Sequence, residues 1–63
     1  MTTTPLPRIG APATRALTQT GITSLEQAGD AGERALLALH GVGPKAIRIL
    51  REALAELGLE LKP

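Results

Sequence analysis

Apolar residues along this chain recur at helical spacing. From Pro44 onward the large apolar positions are Ile47, Leu50, Leu54 and Leu57, three, four and three residues apart, with Ala46 and Ala53 beside them. That is the stripe of an amphipathic helix. Pro44 suits its first position, where no N–H is needed, and Gly58 suits the position just past its end. Leu59 and Leu61 are expected to fold back on the helix end, ordering the chain to about Leu61. A first helix is predicted from Ala11, with Pro12 in its first turn, to Gln19 or Thr20, where Gly21 stops it. Between these two, Thr23-Ser24-Leu25-Glu26 has capping-box spacing, Thr23 offering the hydroxyl and Glu26 the carboxylate, which predicts a short helix over about 24–28. Asp30-Ala31-Gly32-Glu33 repeats the spacing with Asp30 as the cap of a third helix, whose apolar face is Leu36, Leu37 and Leu39 and whose end is near His40. No stretch alternates in the manner of a strand. The expectation is a compact all-α domain of four to five helices over residues 8–62, after a flexible N-terminal tail over 1–7, with Leu6 and Ile9 stapling the N-terminal segment across the bundle.

Composition narrows what such a domain does. At 63 residues the chain holds one core. It has no cysteine, hence no disulfide framework, thiolate metal site or cysteine nucleophile, which suits a reducing cytoplasm. Without Phe, Tyr or Trp it has no platform on which unpaired bases could stack, so any nucleic acid partner is expected to be duplex. The single His40, placed before a glycine, is read as a capping or packing residue, and no nucleophile–base pair, metal site or cofactor site can be assembled around it. A catalytic role is therefore not expected. The N-terminus lacks the apolar run of a signal peptide, and Ala35–Leu39 is far shorter than the roughly 20 residues that span a bilayer, so no membrane partner is expected and a cytoplasmic location is.

The formal net charge of +1 conceals an uneven distribution. Residues 1–25 carry +2, 26–40 carry −2, 41–51 carry +3 and 52–63 carry −2. The +3 segment contains Gly41-Val42-Gly43-Pro44-Lys45, two glycines around one apolar residue between predicted helices. Such a hairpin exposes main-chain N–H groups to a phosphate, the following helix start adds donors and the positive end of its dipole, and Lys45 adds an ammonium; Val42 would plug the hairpin into the core. Arg51 reads as a solvated helix-face charge, and Arg48 is spaced to pair with Glu52 as well as to reach a ligand. A weak internal echo sets Gly10, Ala13, Arg15 and Leu17 against Gly43, Ala46, Arg48 and Leu50 at an offset of 33 positions, a glycine preceding a proline-started helix in each case.

Leu36-x-x-Leu39-x-Gly41-Val42-Gly43 resembles the hairpin of the helix-hairpin-helix family, with Ile47 standing where the repair-type motif usually has alanine. A wider resemblance, over about residues 8–62, is to the carboxy-terminal domain of the RNA polymerase alpha subunit, a compact SAM-like relative of that family. It rests on Arg15–Glu26, similar to its first helix and turn, and on Leu54–Leu61, similar to its last helix and tail. The resemblance implies backbone contacts to DNA at Gly41, Gly43, Lys45 and Ala46. It also sets Pro12 and Arg15 where the family's minor-groove arginine and asparagine stand; Pro12 can donate no hydrogen bond, which leaves Arg15 to reach a minor groove or a phosphate.

Two functions follow as expectations. The first is a non-catalytic module that grips double-stranded DNA by its backbone, largely without sequence preference, through Gly41, Val42, Gly43, Lys45, Ala46, Arg48 and Arg15. The second is a protein-interaction adaptor of the same fold, docking a partner from transcription or DNA-repair machinery or a copy of itself, which the acidic segments 26–40 and 52–63 favour. Lys45, Arg48 and Arg15 on one face around the hairpin would favour the first; scattered, they favour the adaptor.

Overall fold

In a computed structural model, which describes residues 3–63, the chain forms four helices: α1 (Ala11–Gln19), α2 (Leu25–Ala31), α3 (Glu33–Leu37) and α4 (Pro44–Glu56). No strand occurs among the described residues, and no helix among them is long and apolar enough to cross a membrane. Met1 and Thr2 of the expected tail lie outside the described residues.

The outer helices end by the same device. Gly21 and Gly58 each sit just past a helix end; Ile22 N–H reaches the Leu17 carbonyl (2.8 Å) and Gly21 N–H that of Thr18 (3.0 Å), while Leu59 N–H reaches Leu54 (2.9 Å) and Gly58 N–H reaches Ala55 (3.0 Å). This paired pattern satisfies carbonyls that the helix itself leaves open. The apolar stripe of α4 is buried at Ala46, Ile47, Leu50 and Leu54. Leu57, expected on that stripe, is instead the C-cap and is 46% exposed, because the backbone leaves helical geometry there. Of the two tail leucines, Leu61 packs on the core and Leu59 remains 42% exposed.

The core gathers Ile9, Ala13, Leu17, Ile22, Leu25, Ala28, Leu36, Val42, Ala46, Ile47, Leu50 and Leu54, with Leu6 packed against it as the staple expectation required. α2 and α4 pack together, and α3 packs on both. At Gly29 the approach is so close that a Cβ would lie 3.0 Å from a Leu54 methyl.

Three local readings of the middle segment are corrected. Ser24, not Thr23, caps α2, accepting from Gln27 N–H at 3.2 Å, and the Gln27 side chain in turn takes Thr23 N–H at 2.8 Å. The reciprocal pattern is shifted one residue from that expected, which releases Glu26 for another task. Asp30 lies inside α2 and caps nothing; Gly32 separates α2 from α3. α3 ends at Leu37 and not near His40, since Leu39–Val42 form a turn closed by Val42 N–H to the Leu39 carbonyl.

Glu26 receives Thr4 N–H at 2.9 Å and the Thr4 hydroxyl at 2.7 Å, while Leu25 N–H donates to the Thr4 carbonyl at 2.8 Å. The Thr4 backbone and then its hydroxyl favour the charged carboxylate and hold it below its ordinary value of 4.5. A folded-state value below the unfolded one means that this contribution to stability is complete above about 4.5 and declines as pH falls toward the lowered value. The thermal midpoint followed from pH 7 to pH 3 is expected to fall more steeply for the wild type than for Glu26→Gln; equal slopes would remove this strap from the acid response.

Candidate nucleic-acid interface

The turn after α3 is where the chain's two proline-started helices meet. Gly41 adopts φ +100°, and a Cβ there would stand 2.9 Å from the carbonyl oxygen of Pro12 in the first turn of α1. Conformation and space both demand glycine. Seated in this way, the turn brings the start of α4 beside the start of α1, and Arg8, Ile9, Gly10, Gly41, Gly43, Pro44, Lys45, Ala46 and Ile49 line one open groove.

Both helices enter that groove without a side-chain cap, their N-cap residues being Gly10 and Gly43. Because Pro44 has no N–H, the amides that the first turn of α4 presents are those of Lys45 and Ala46. Gly43 differs from Gly41 in kind: its φ is −120°, and no atom lies within 4 Å of where its Cβ would be. Nothing inside the protein requires glycine there. The space in front of the α4 amides is open to something from outside.

Charge follows the same division. α2 and α3 carry Glu26 and Glu33 in their first turns, as helix dipoles favour. α1 and α4 carry no acid in the first turn and no base in the last. In α4 the order is inverted, with Lys45, Arg48 and Arg51 toward the N-terminus and Glu52 and Glu56 toward the C-terminus. Positive side chains thus reinforce the positive helix end at the groove, an arrangement that weakens the helix slightly and strengthens its field for an anion.

Gly41, Gly43, Lys45 and Ala46 stand together in the groove. Val42 is buried at 7% exposure and serves as the plug beneath it. Arg48 lines a neighbouring groove with Glu33, Leu37, Pro44, Ile47 and Arg51, and Arg51 pairs with Glu33. Arg15 is exposed on α1 and lines neither groove. Lys45, Arg48 and Arg15, whose sharing of one face would favour DNA binding over the adaptor, do not line one groove, while Arg8 stands with Lys45. The signal for Arg8 was the echo of Gly10 in Gly43, since matching glycine entries placed side by side bring their flanking cations with them. His40 is exposed in the turn.

No family model, curated protein or solved structure matches this chain.

The two turn glycines, Gly41 and Gly43, are expected to differ in what they contribute to stability. Gly41→Ala is expected to lower stability by about 2 kcal/mol, from the strained φ and the Pro12 contact. Gly43→Ser should be neutral or stabilising by a few tenths of a kcal/mol, because its hydroxyl can cap the Lys45 or Ala46 amide. Chemical denaturation of the two variants tests the contrast; equal losses would contradict it.

Proposed function

We propose that this chain is a non-catalytic DNA-binding module of the helix-hairpin-helix type, gripping the duplex phosphate backbone largely without regard to sequence. The observation that carries the reading is the convergence of two uncapped helix starts, with Arg8 and Lys45, on a groove whose floor glycine, Gly43, leaves its amides uncovered. A phosphate in that groove takes the Lys45 and Ala46 N–H groups at the positive end of α4 and salt-bridges to Lys45 and Arg8 at its sides. A hairpin that holds phosphate by main chain and ammonium needs no aromatic residue, so a chain without Phe, Tyr or Trp meets its requirements. Arg15 and Arg48, outside the groove, add to the field that draws DNA in.

With about two to three phosphates neutralised, the slope of log K against log salt is about −2 to −3, and affinity at physiological salt is that of non-specific binding, roughly 10⁻⁴ to 10⁻⁶ M. Fluorescence anisotropy of a labelled duplex at low salt tests this. Lys45→Glu and Arg8→Glu are each expected to weaken binding about tenfold or more, Arg48→Glu less, and Gly43→Ser to weaken binding without loss of fold, because its hydroxyl occupies the amides the phosphate needs.

The adaptor reading draws support from the separation of Arg15 and Arg48 from the groove and from three exposed leucines, Leu37, Leu57 and Leu59. Absence of any salt-sensitive association with duplex, or equal binding by Lys45→Glu, would leave that reading in place of the first.

A further inference from the structure

The exposed face of α4 is complementary to itself. It presents Arg48, Glu52, Ala55 and Glu56, all exposed, with its cations toward the N-terminus and its acids toward the C-terminus. Two surface grooves continue this face. One, at the N-terminal end, is lined by Glu33, Leu37, Pro44, Ile47, Arg48 and Arg51. The other, at the C-terminal end, is lined by Arg51, Ala55, Leu59, Glu60 and Leu61. Arg51 is common to both, so the surface is unbroken, and it carries one exposed leucine near each end, Leu37 at 43% and Leu59 at 42%. Leu57 lines neither groove.

We propose that this face is a homodimer interface, in which α4 packs antiparallel to α4 of a second copy about a two-fold axis passing between Arg51 and Glu52. An isologous contact requires a patch that matches itself on rotation, and this one does so in three respects. Arg48, about 5 Å along the helix from the axis, comes opposite Ala55 and Glu56 of the second copy. Leu59, folded back past the helix end beside Ala55, is carried by the same rotation toward the groove of the second copy that holds Leu37, and the relation is repeated at the other end. The two helix dipoles lie antiparallel, so the positive end of one α4, reinforced by its cations, stands beside the negative end of the other, reinforced by its acids. Neither Arg48 nor Glu56 has an ion-pair partner among the described residues, whereas Arg51 is committed to Glu33 and Lys62 to Asp30. Arg48 and Glu56 are therefore open to the second copy. The occupant follows from the chemistry: a uniformly acidic or basic partner would be repelled by one half of the face, and an antiparallel copy by neither. The face and the hairpin groove share only Pro44 among their lining residues, and self-association is read without DNA, so it is tested apart from DNA binding although Arg48 contributes to both fields.

Sedimentation equilibrium of the full chain tests it by charge exchange. The wild type is expected to move from 6.5 kDa toward twice that mass with a dissociation constant of about 10⁻⁴ M, as a small interface allows, and to dissociate as salt rises. Arg48→Glu alone sets carboxylate against carboxylate across the axis, and Glu56→Arg alone sets guanidinium against guanidinium; each is expected to weaken self-association about tenfold or more. Mixing the two variants lets opposite charges face each other again, and the mixture should associate at least as tightly as the wild type. Leu59→Ser, outside every helix, should weaken the wild-type dimer about threefold to tenfold. Circular dichroism establishes that each variant is folded. A wild type that stays at the monomer mass up to about 1 mM, or a mixture no more associated than its components, would overturn the proposal.

Discussion

Directly over the carbonyl of Pro12 the chain turns back at Gly41 with φ +100°, and a Cβ in that position would come within 2.9 Å of the oxygen. The geometry of the basic end of the molecule depends on this contact. It fixes the start of α4 against the start of α1, and so turns two segments 33 positions apart in the sequence into the two walls of one groove. Val42, next along the chain, anchors the turn from below by entering the core. With the glycine locked by its neighbour and the valine by the interior, Gly43 is left facing outward with space in front of it. One glycine is thus explained by packing inside the protein and the other by what the surface presents, a distinction that the motif Gly-Val-Gly does not reveal.

The same helix carries a second constraint. In α4 the side-chain charges run with the helix dipole where stability alone would have them run against it. α2 and α3 obey the ordinary rule with Glu26 and Glu33 in their first turns. The exception therefore belongs to particular helices and is not a consequence of the chain's composition. An inverted helix is a rod with enhanced positive and negative ends, suited to two different contacts. In the proposed readings the positive end would take an anion and the exposed face its own reversed image. In the proposed dimer the two grooves lie at opposite ends of the α4 pair, about 20 Å apart, so that two weak backbone contacts on one duplex would act with a raised effective concentration.

Features that depend on near neighbours were legible in the sequence. The stripe of Ile47, Leu50 and Leu54, the proline starts at Pro12 and Pro44, and the glycine stops at Gly21 and Gly58 are all decided within one or two turns of helix. What was misread depended on distant partners. Thr23 and Ser24 are equally able to cap; Ser24 does so with Gln27, while Glu26 holds Thr4, 22 positions away. Asp30 was read as the cap of the next helix, yet α2 runs through Gly29 and Asp30 to Ala31, with Gly29 packed tightly on Leu54. The candidate site shows the same division. Gly41, Gly43 and Lys45 were visible as a local pattern, but that Arg8 shares their groove depends on how the turn at Gly41 seats against Pro12.

Finally, α2 and the first residue of α3 hold the segments around Thr4 and Lys62. Thr4 is bound at the first turn of α2 through Glu26 and Leu25, and near its other end Lys62 donates to the Gly29 carbonyl at 3.3 Å and accepts from Glu33 N–H at 2.6 Å. A tension applied between these two segments is therefore carried along a helix of seven residues, about 10 Å in length, and through the few hydrogen bonds at either end of it. The hairpin and the α1–α4 groove lie off that line of force. Mechanically α2 is a short strut, and the turn at Gly41, seated on Pro12, stands apart from the straps that hold it.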